Sequence, residues 1–181
     1  MNKKVKALIA VGGTGGHVFP GYNLALHLNE LDYNVSIITD KRGKKFLNNF
    51  KYFNTTLLPS TPLIKKNFFT ILFSSIFIFY TILRALIYLS INRPSIIFGM
   101  GGYASFPICV AAIILKVKII IYENNLILGK TNKYLLPFAE KLLVSYKDLE
   151  KVPKKHQNKI YQIGNIIKKE IINFSKKKFR I

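Results

Sequence analysis

The sequence predicts an α/β domain built on a doubly wound parallel sheet. Two observations carry that reading. Short β-branched runs alternate with longer helical stretches along the chain, and glycine-rich turns follow directly after two of those runs. Apolar strands alternating with amphipathic helices are what a parallel sheet covered on both faces requires. In such sheets a ligand sits beyond the carboxyl ends of the strands, where the glycine turns lie.

Strands are predicted at Lys4–Val11, Asn34–Thr39, Thr55–Leu58, Ser95–Phe98, Lys118–Tyr122, Lys141–Ser145 and Lys159–Ile163. Helices are predicted at His17–Leu31, Lys44–Asn49, Asn67–Ile91, Phe106–Leu115 and Lys130–Phe138. A chain of 181 residues, half of them apolar, has room for one well-packed domain and too little for two. Its apolar content argues against disorder, and it carries no repeat and no Gly/Ser-rich or Pro-rich linker. The single cysteine, Cys109, cannot form a disulfide within one chain, which fits a reducing cytoplasm. The basic start and the short run Ala7–Val11 raise a signal peptide. That run is shorter than a signal's apolar region and ends in glycine, so it reads as the first strand.

The charge is lopsided: 28 Lys plus Arg against 8 Asp plus Glu, a net of +20. Such a field draws a protein to nucleic acid or to an anionic membrane surface. The excess is mostly lysine in a chain also rich in Ile, Asn and Phe, so nucleotide bias in the genome explains it equally well.

The stretch Asn67–Ile91 has three readings. Phe68 to Leu83 carries no charge, and Arg84 then interrupts before Ala85–Ile91. A spanning helix wants roughly 20 apolar residues, so the run is short for that. Basic residues flank it, Lys65 and Lys66 before and Arg84 and Arg93 at its far end. An interfacial helix dipping one apolar face into a leaflet fits better. A buried crossover helix between two strands is the structural alternative.

Three segments carry chemistry. Val11-Gly12-Gly13-Thr14-Gly15-Gly16-His17-Val18-Phe19-Pro20 follows the first strand. Its glycines permit a tight turn and bring bare N–H groups up to an anion, and the next helix adds its positive end. Pro20 suits a first helical turn. No Gly-Lys-Ser/Thr follows, which excludes a nucleoside-triphosphate loop. The last glycine of a dinucleotide fingerprint is missing, although Asp40 closes the second strand where a ribose-binding acid would sit and keeps a nicotinamide or flavin reading open. Gly99-Met100-Gly101-Gly102-Tyr103-Ala104-Ser105 forms a second glycine turn that could grip a second phosphate, with Ser105 either capping the helix or touching ligand. Tyr122-Glu123-Asn124-Asn125, with Gly129-Lys130-Thr131-Asn132 after it, offers polar groups suited to sugar hydroxyls, or a loop whose Thr131 or Asn132 caps a helix.

GGTGGHVFP, GMGGYASFP, ENNLILGKTNK and IGNIIK stand here in an order and spacing that resembles the N-terminal domain of the MurG glycosyltransferases, from Met1 to about Lys168. The resemblance implies a Rossmann-like N-terminal half of a two-domain GT-B enzyme. It implies transfer of N-acetylglucosamine from UDP-N-acetylglucosamine to the 4-hydroxyl of the muramyl sugar of lipid I, the undecaprenyl-diphosphate-linked muramyl pentapeptide. Thr14, Gly15, Gly16, Asn125 and Lys168 would then contact the donor. Gly13, Gly101, Gly102, Tyr103 and Ser105 would form the acceptor diphosphate site. The expected reaction is an inverting displacement with no metal and no cofactor. It needs a general base for the attacking hydroxyl and stabilisation of the leaving diphosphate. His17 is the candidate for base or acceptor orientation, because histidine titrates near neutrality; Glu123 is the second. A histidine at a helix start can also simply cap and pack. The implied location is peripheral, on the cytoplasmic face of the plasma membrane, and nucleic acid is not an expected partner.

The chain departs from the family pattern in places. The family's His-Glu-Gln-Asn reads Tyr122-Glu123-Asn124-Asn125, and its Gly-Asn-Pro-Val-Arg reads Gly164-Asn165-Ile166-Ile167-Lys168. Lysine cannot reproduce arginine's planar two-pronged contact. The expected division is an acceptor-binding domain over 1–165, an interdomain linker and basic tail over 166–181, and no nucleotide-sugar domain. On that reading the chain needs a separate C-terminal half to transfer sugar. The alternatives are a non-catalytic acceptor-binding or membrane-recruiting subunit of a split glycosyltransferase, and a nucleotide- or nucleic-acid-binding protein of unrelated role.

Overall fold

A computed structural model describes residues 4–48, 50, 52–62 and 67–167. Seven parallel strands form one sheet: β1 (Lys6–Ala10), β2 (Asn34–Thr39), β3 (Thr55–Leu57), β4 (Ile96–Gly99), β5 (Lys118–Glu123), β6 (Lys141–Val144) and β7 (Ile160–Gln162). The helices are α1 (Gly15–Glu30), α2 (Lys41–Leu47), α3 (Phe68–Asn92), α4 (Gly102–Ile114) and α5 (Lys130–Leu135), with a 3-10 turn at Lys154–Lys159. All seven predicted strands are present within a residue or two of their expected ends.

The strand order is β3-β2-β1-β4-β5-β6-β7. The chain winds outward from β1 to β3, then returns to the other side of β1 and winds outward to β7. β1 and β4 are therefore neighbours at the point where the winding reverses, which is where doubly wound sheets bind ligands. Both glycine turns leave these two strands.

Alternation along β1 divides the core. Leu8 and Ala10 point into one layer with Ala85 and Leu89 of α3, Ile108 and Ala112 of α4 and Leu135 of α5. Ala7, Ile9 and Val11 point into the other with Val18, Tyr22 and Ala25 of α1 and Leu47 of α2. Each large apolar side chain so buried contributes about 1.5–3 kcal/mol, before the cost of ordering the chain.

The helices start earlier than the sequence predicts. α1 begins at Gly15 rather than His17, α2 at Lys41 rather than Lys44, and α4 at Gly102 rather than Phe106. Glycine is disfavoured in a helix interior, but in the first turn its N–H has no intrahelical partner anyway and its freedom suits the entry. Pro20 consequently sits at the sixth position of α1, past the first turn where it was expected. Pro107 occupies the same position in α4. Each proline removes the N–H that would bond the carbonyl of the helix's second residue.

α3 is the outlier. Asn67 and Thr70 form a reciprocal cap at its start, with Thr70 N–H donating to Asn67 Oδ1 at 2.9 Å and Asn67 N–H to Thr70 Oγ1 at 3.1 Å. Arg93, left-handed at φ 46°, closes it ahead of Pro94. Only Ser74, Thr81, Ala85 and Leu89 are buried, a stripe one residue wide. Phe68, Phe73 and Phe79 are 72%, 68% and 62% exposed. The C-terminal half thus packs into the core through Ala85 and Leu89 while the N-terminal half stands mostly exposed, so the buried-crossover reading holds for one half alone. By length and composition alone α3 is long and apolar enough to cross a membrane.

Candidate functional site

The two glycine turns touch. A Cβ added at Gly12 would lie 2.4 Å from Ala104 Cβ, so the first turn leaves no room for a side chain beside α4. Gly13 has φ 81°, and Gly101 and Gly102 have φ 86° and 71°, values that L side chains avoid. α1 and α4 begin within this junction, and the N–H groups of their first turns, at Gly15, Gly16, Gly102 and Tyr103, have no helical partner. Their dipoles add positive potential there.

His17 bridges the turns. From α1 its ring lies against the second turn, with Cε1 3.2 Å from where a Cβ at Gly101 would stand and Cδ2 3.1 Å from one at Gly102. Its Nδ1 is buried and makes no hydrogen bond among the described residues. The candidate base is therefore seated at the junction of the two glycine turns rather than capping a helix.

Asp40 differs from its ribose-binding reading. It is 4% exposed. Its Oδ1 accepts the N–H of Gly43 at 2.7 Å and of Gly13 at 3.1 Å, and Oδ2 accepts Ser60 Oγ at 3.2 Å. The carboxylate caps α2 and ties it to the first turn, and its burial keeps it out of reach of a ribose. The nicotinamide or flavin reading loses its support. The N–H of Gly13 is spent in the same contact, so Gly13 gives the site space rather than a donor.

Ser105 is also corrected. It lies inside α4, fully buried, and its hydroxyl donates to the carbonyls of Gly101 at 3.0 Å and Gly102 at 3.1 Å. It supports the turn from behind and neither caps the helix nor faces a ligand. Tyr103 is half-buried in the second turn. Burial raises its phenol above the usual range, and the Arg42 guanidinium draws it the other way.

Glu123, the second candidate base, is 3% exposed with both oxygens engaged. Oε1 accepts Asn125 N–H at 3.1 Å and Asn125 Nδ2 at 2.7 Å; Oε2 accepts Gly129 N–H and Asn132 Nδ2, each at 2.9 Å. Its role is to shape the 124–129 loop, and four hydrogen bonds leave its carboxylate no free acceptor site to take a hydroxyl proton. Asn132, neither cap nor ligand contact, holds that carboxylate and donates to the Tyr122 carbonyl at 2.9 Å. Asn125 is tied to Glu123, and it is Asn124 that lines an open, largely apolar cleft of about 690 Å³ with Gly15, Gly16, Phe19, Asn23 and Ile166. Thr14 is exposed beside that cleft. Lys168 lies outside the described residues.

Tyr122, where the family pattern has histidine, is buried and anchors the exit from the sheet. Its hydroxyl is 2.7 Å from Ser145 Oγ, donates to Asn124 Oδ1 at 3.1 Å and accepts the N–H of Ile166 at 3.4 Å. Asn23 Nδ2 on α1 reaches the Ile166 carbonyl at 3.5 Å. The segment after β7 is thereby drawn back across the cleft wall.

Arg42 escaped the sequence reading because it stands in a basic run that looks like a solvated face. The signal was Asp40-x-x-Gly43, a cap spacing that fixes the register of α2 on the first turn. Gly43 packs so closely that its added Cβ would fall 2.2 Å from Thr39 Oγ1 and 3.0 Å from Gly12 Cα. That approach sets Arg42 over Gly13, with its guanidinium carbon 5.0 Å from the centre of the Tyr103 ring.

Comparison with known proteins bears on this arrangement. Residues 7–144 match the sequence model of the glycosyltransferase family 28 N-terminal domain. The chain is 36% identical over 173 residues to a protein of Pelagibacter ubique (strain HTCC1062) named UDP-N-acetylglucosamine–N-acetylmuramyl-(pentapeptide) pyrophosphoryl-undecaprenol N-acetylglucosamine transferase, covering 96% of this chain and 47% of that relative. A protein of the same name from Rickettsia felis is 38% identical over 173 residues, covering 93% and 45%. Among solved structures, the crystal structure of Acinetobacter baumannii MurG superposes with a TM-score of 0.73 at 22% identity, covering 92% of this chain and 47% of that one. The chain spans about half the length of the curated relatives it matches. The resemblance read from the motifs and the doubly wound fold are both borne out.

Proposed function

The chain belongs to the glycosyltransferase family 28 N-terminal domain family, and we propose that it is the acceptor-binding half of a transferase moving N-acetylglucosamine from UDP-N-acetylglucosamine to lipid I. The observation that carries this is the meeting of two glycine turns at the sheet's switch point with His17 laid across them. Two helix starts converging there suit a diphosphate, and a histidine beside it suits a sugar hydroxyl.

In the proposed reaction the muramyl 4-hydroxyl oxygen attacks the anomeric carbon of N-acetylglucosamine. The bond from that carbon to the UDP oxygen breaks, and UDP departs with the electron pair. His17 takes the hydroxyl proton. The turn at Gly101–Tyr103 holds the acceptor's diphosphate. Gly15 and Gly16, on the cleft, face the donor held mainly by a second domain, and Thr14 stands beside them. Asn124 replaces Asn125 as the cleft-lining residue of its loop.

α3 supports a seat on the cytoplasmic face of the plasma membrane. Its C-terminal half is pinned to α4 and the core by Thr81, Ala85 and Leu89, while Phe68 to Tyr80 stands mostly clear. That free half is about 20 Å long at ~1.5 Å per residue, short of the ~30 Å hydrocarbon core. It fits an interfacial helix, and the basic surface suits anionic lipid.

The test is equilibrium binding of a water-soluble, short-chain lipid I analogue to the chain alone, beside UDP-N-acetylglucosamine. The proposal expects saturable binding of the acceptor and binding of the donor at least about tenfold weaker. Tighter binding of the donor than of the acceptor would overturn it.

A further inference from the structure

Arg42 is placed by two neighbours, a long ion pair to Asp40 and the face of the Tyr103 ring, and neither uses its N–H donors. Among the described residues its guanidinium donates no hydrogen bond. The nearest carboxylate, Asp40, lies 3.9 Å from Nε, beyond hydrogen-bond reach, and is already occupied by Gly13, Gly43 and Ser60. The side chain is 56% exposed, yet it is held on one side by the Tyr103 ring and lies above Gly13. Its Nη2 is 3.3 Å from where a Cβ at Gly13 would stand, so the bare glycine is what gives the guanidinium its place.

The local charge is unbalanced. Two helix starts contribute roughly half a positive charge each, and Arg42 adds a full one. Asp40 cancels only one of these. About one positive charge is left over, and a planar fork of donors facing two glycine turns suits a phosphate group.

We propose that Arg42 is a phosphate-binding residue of the acceptor site, gripping the diphosphate of the lipid-linked sugar from the side opposite His17 while the Gly101–Tyr103 turn holds it from below. This rests on the acceptor-half reading above and adds to it a side chain that sets affinity for the diphosphate. The stacking on Tyr103 fixes the plane of the fork, so lysine does not replace it.

The experiment compares the full chain with Arg42→Gln, Arg42→Lys and Lys44→Gln, using the soluble lipid I analogue and UDP-N-acetylglucosamine as probes, with thermal unfolding as a check on folding. Lys44 is exposed on the same helix and its substitution removes the same charge. Arg42→Gln is expected to weaken acceptor binding roughly ten- to hundredfold, the scale of a charged hydrogen bond lost from an anion. Arg42→Lys recovers only part of it, and Lys44→Gln changes it less than about twofold. If the wild type binds the acceptor and Arg42→Gln binds it equally well, the role of Arg42 is overturned and the acceptor-half reading stands. Equal weakening by Lys44→Gln overturns it as well, because the effect is then general charge. Loss confined to UDP-N-acetylglucosamine moves Arg42 to the donor and overturns the assignment. A wild type that binds no acceptor overturns both readings together.

Discussion

His17 lies against Gly102 because Gly102 has no side chain: the imidazole Cδ2 is 3.1 Å from the position a Cβ would take. The backbone there is left-handed at φ 71°, so an L residue is strained as well as crowded. Gly102→Ala should cost about 1–3 kcal/mol in stability, read by urea unfolding. It should also displace the imidazole, and transfer assayed with a C-terminal half should fall further than stability explains. Unchanged activity would separate His17 from the chemistry.

Glu123 organises a loop instead of taking a proton. Glu123→Gln keeps the size but turns a donor toward amides that already donate. The loss should be about 2–3 kcal/mol. Hydrogen exchange should locate it, with the Asn125 and Gly129 amides exchanging faster and those of β1 unaffected. A pH–rate profile that loses a limb in this variant while exchange stays normal would restore Glu123 as a base.

Cys109 is fully buried in α4, and burial lifts its thiol from an ordinary 9.0 to about 12. The folded thiol stays neutral, so iodoacetamide should label it only after unfolding. The linkage has a definite sign. Below about pH 9 both states hold the proton and Cys109 adds no pH dependence. Between there and about 12 the unfolded chain releases it while the folded one does not, so stability declines as pH rises. Cys109→Ala should flatten that decline, measured as the unfolding midpoint against pH.

The free half of α3 should govern membrane affinity without governing the fold. Phe73 and Phe79 are mostly exposed, so Phe73→Ser with Phe79→Ser should leave the unfolding midpoint nearly unchanged. Each phenylalanine taken from water contributes up to about 1.5–3 kcal/mol. Co-sedimentation with phosphatidylglycerol vesicles should therefore weaken at least about tenfold. Binding to those vesicles that survives this double change would assign the affinity to charge alone.

Much of this was legible in the residues. Period and β-branching located every strand, and glycine turns after β1 and β4 located the site, because a doubly wound sheet places the ends of those strands side by side. The misreadings share a cause. Ser105, Glu123 and Asp40 are polar residues beside glycine turns, and sequence alone does not reveal that backbone groups already occupy them. Asn124 and Asn125 are indistinguishable until the loop's path is known. Arg42 emerged only from the packing of Gly43 on Gly12, a contact between segments about thirty residues apart. The exposure of α3 was signalled by its basic flanks and its short uncharged run rather than by hydropathy, since a core helix and a membrane-facing one share the same composition.

The most direct test is sugar transfer from labelled UDP-N-acetylglucosamine to a soluble lipid I analogue, with this chain alone and with a supplied C-terminal domain from a relative. The account predicts product only in the mixture, and loss of that product on His17→Ala. Product from this chain alone, or a mixture that remains silent while the analogue binds, would contradict it.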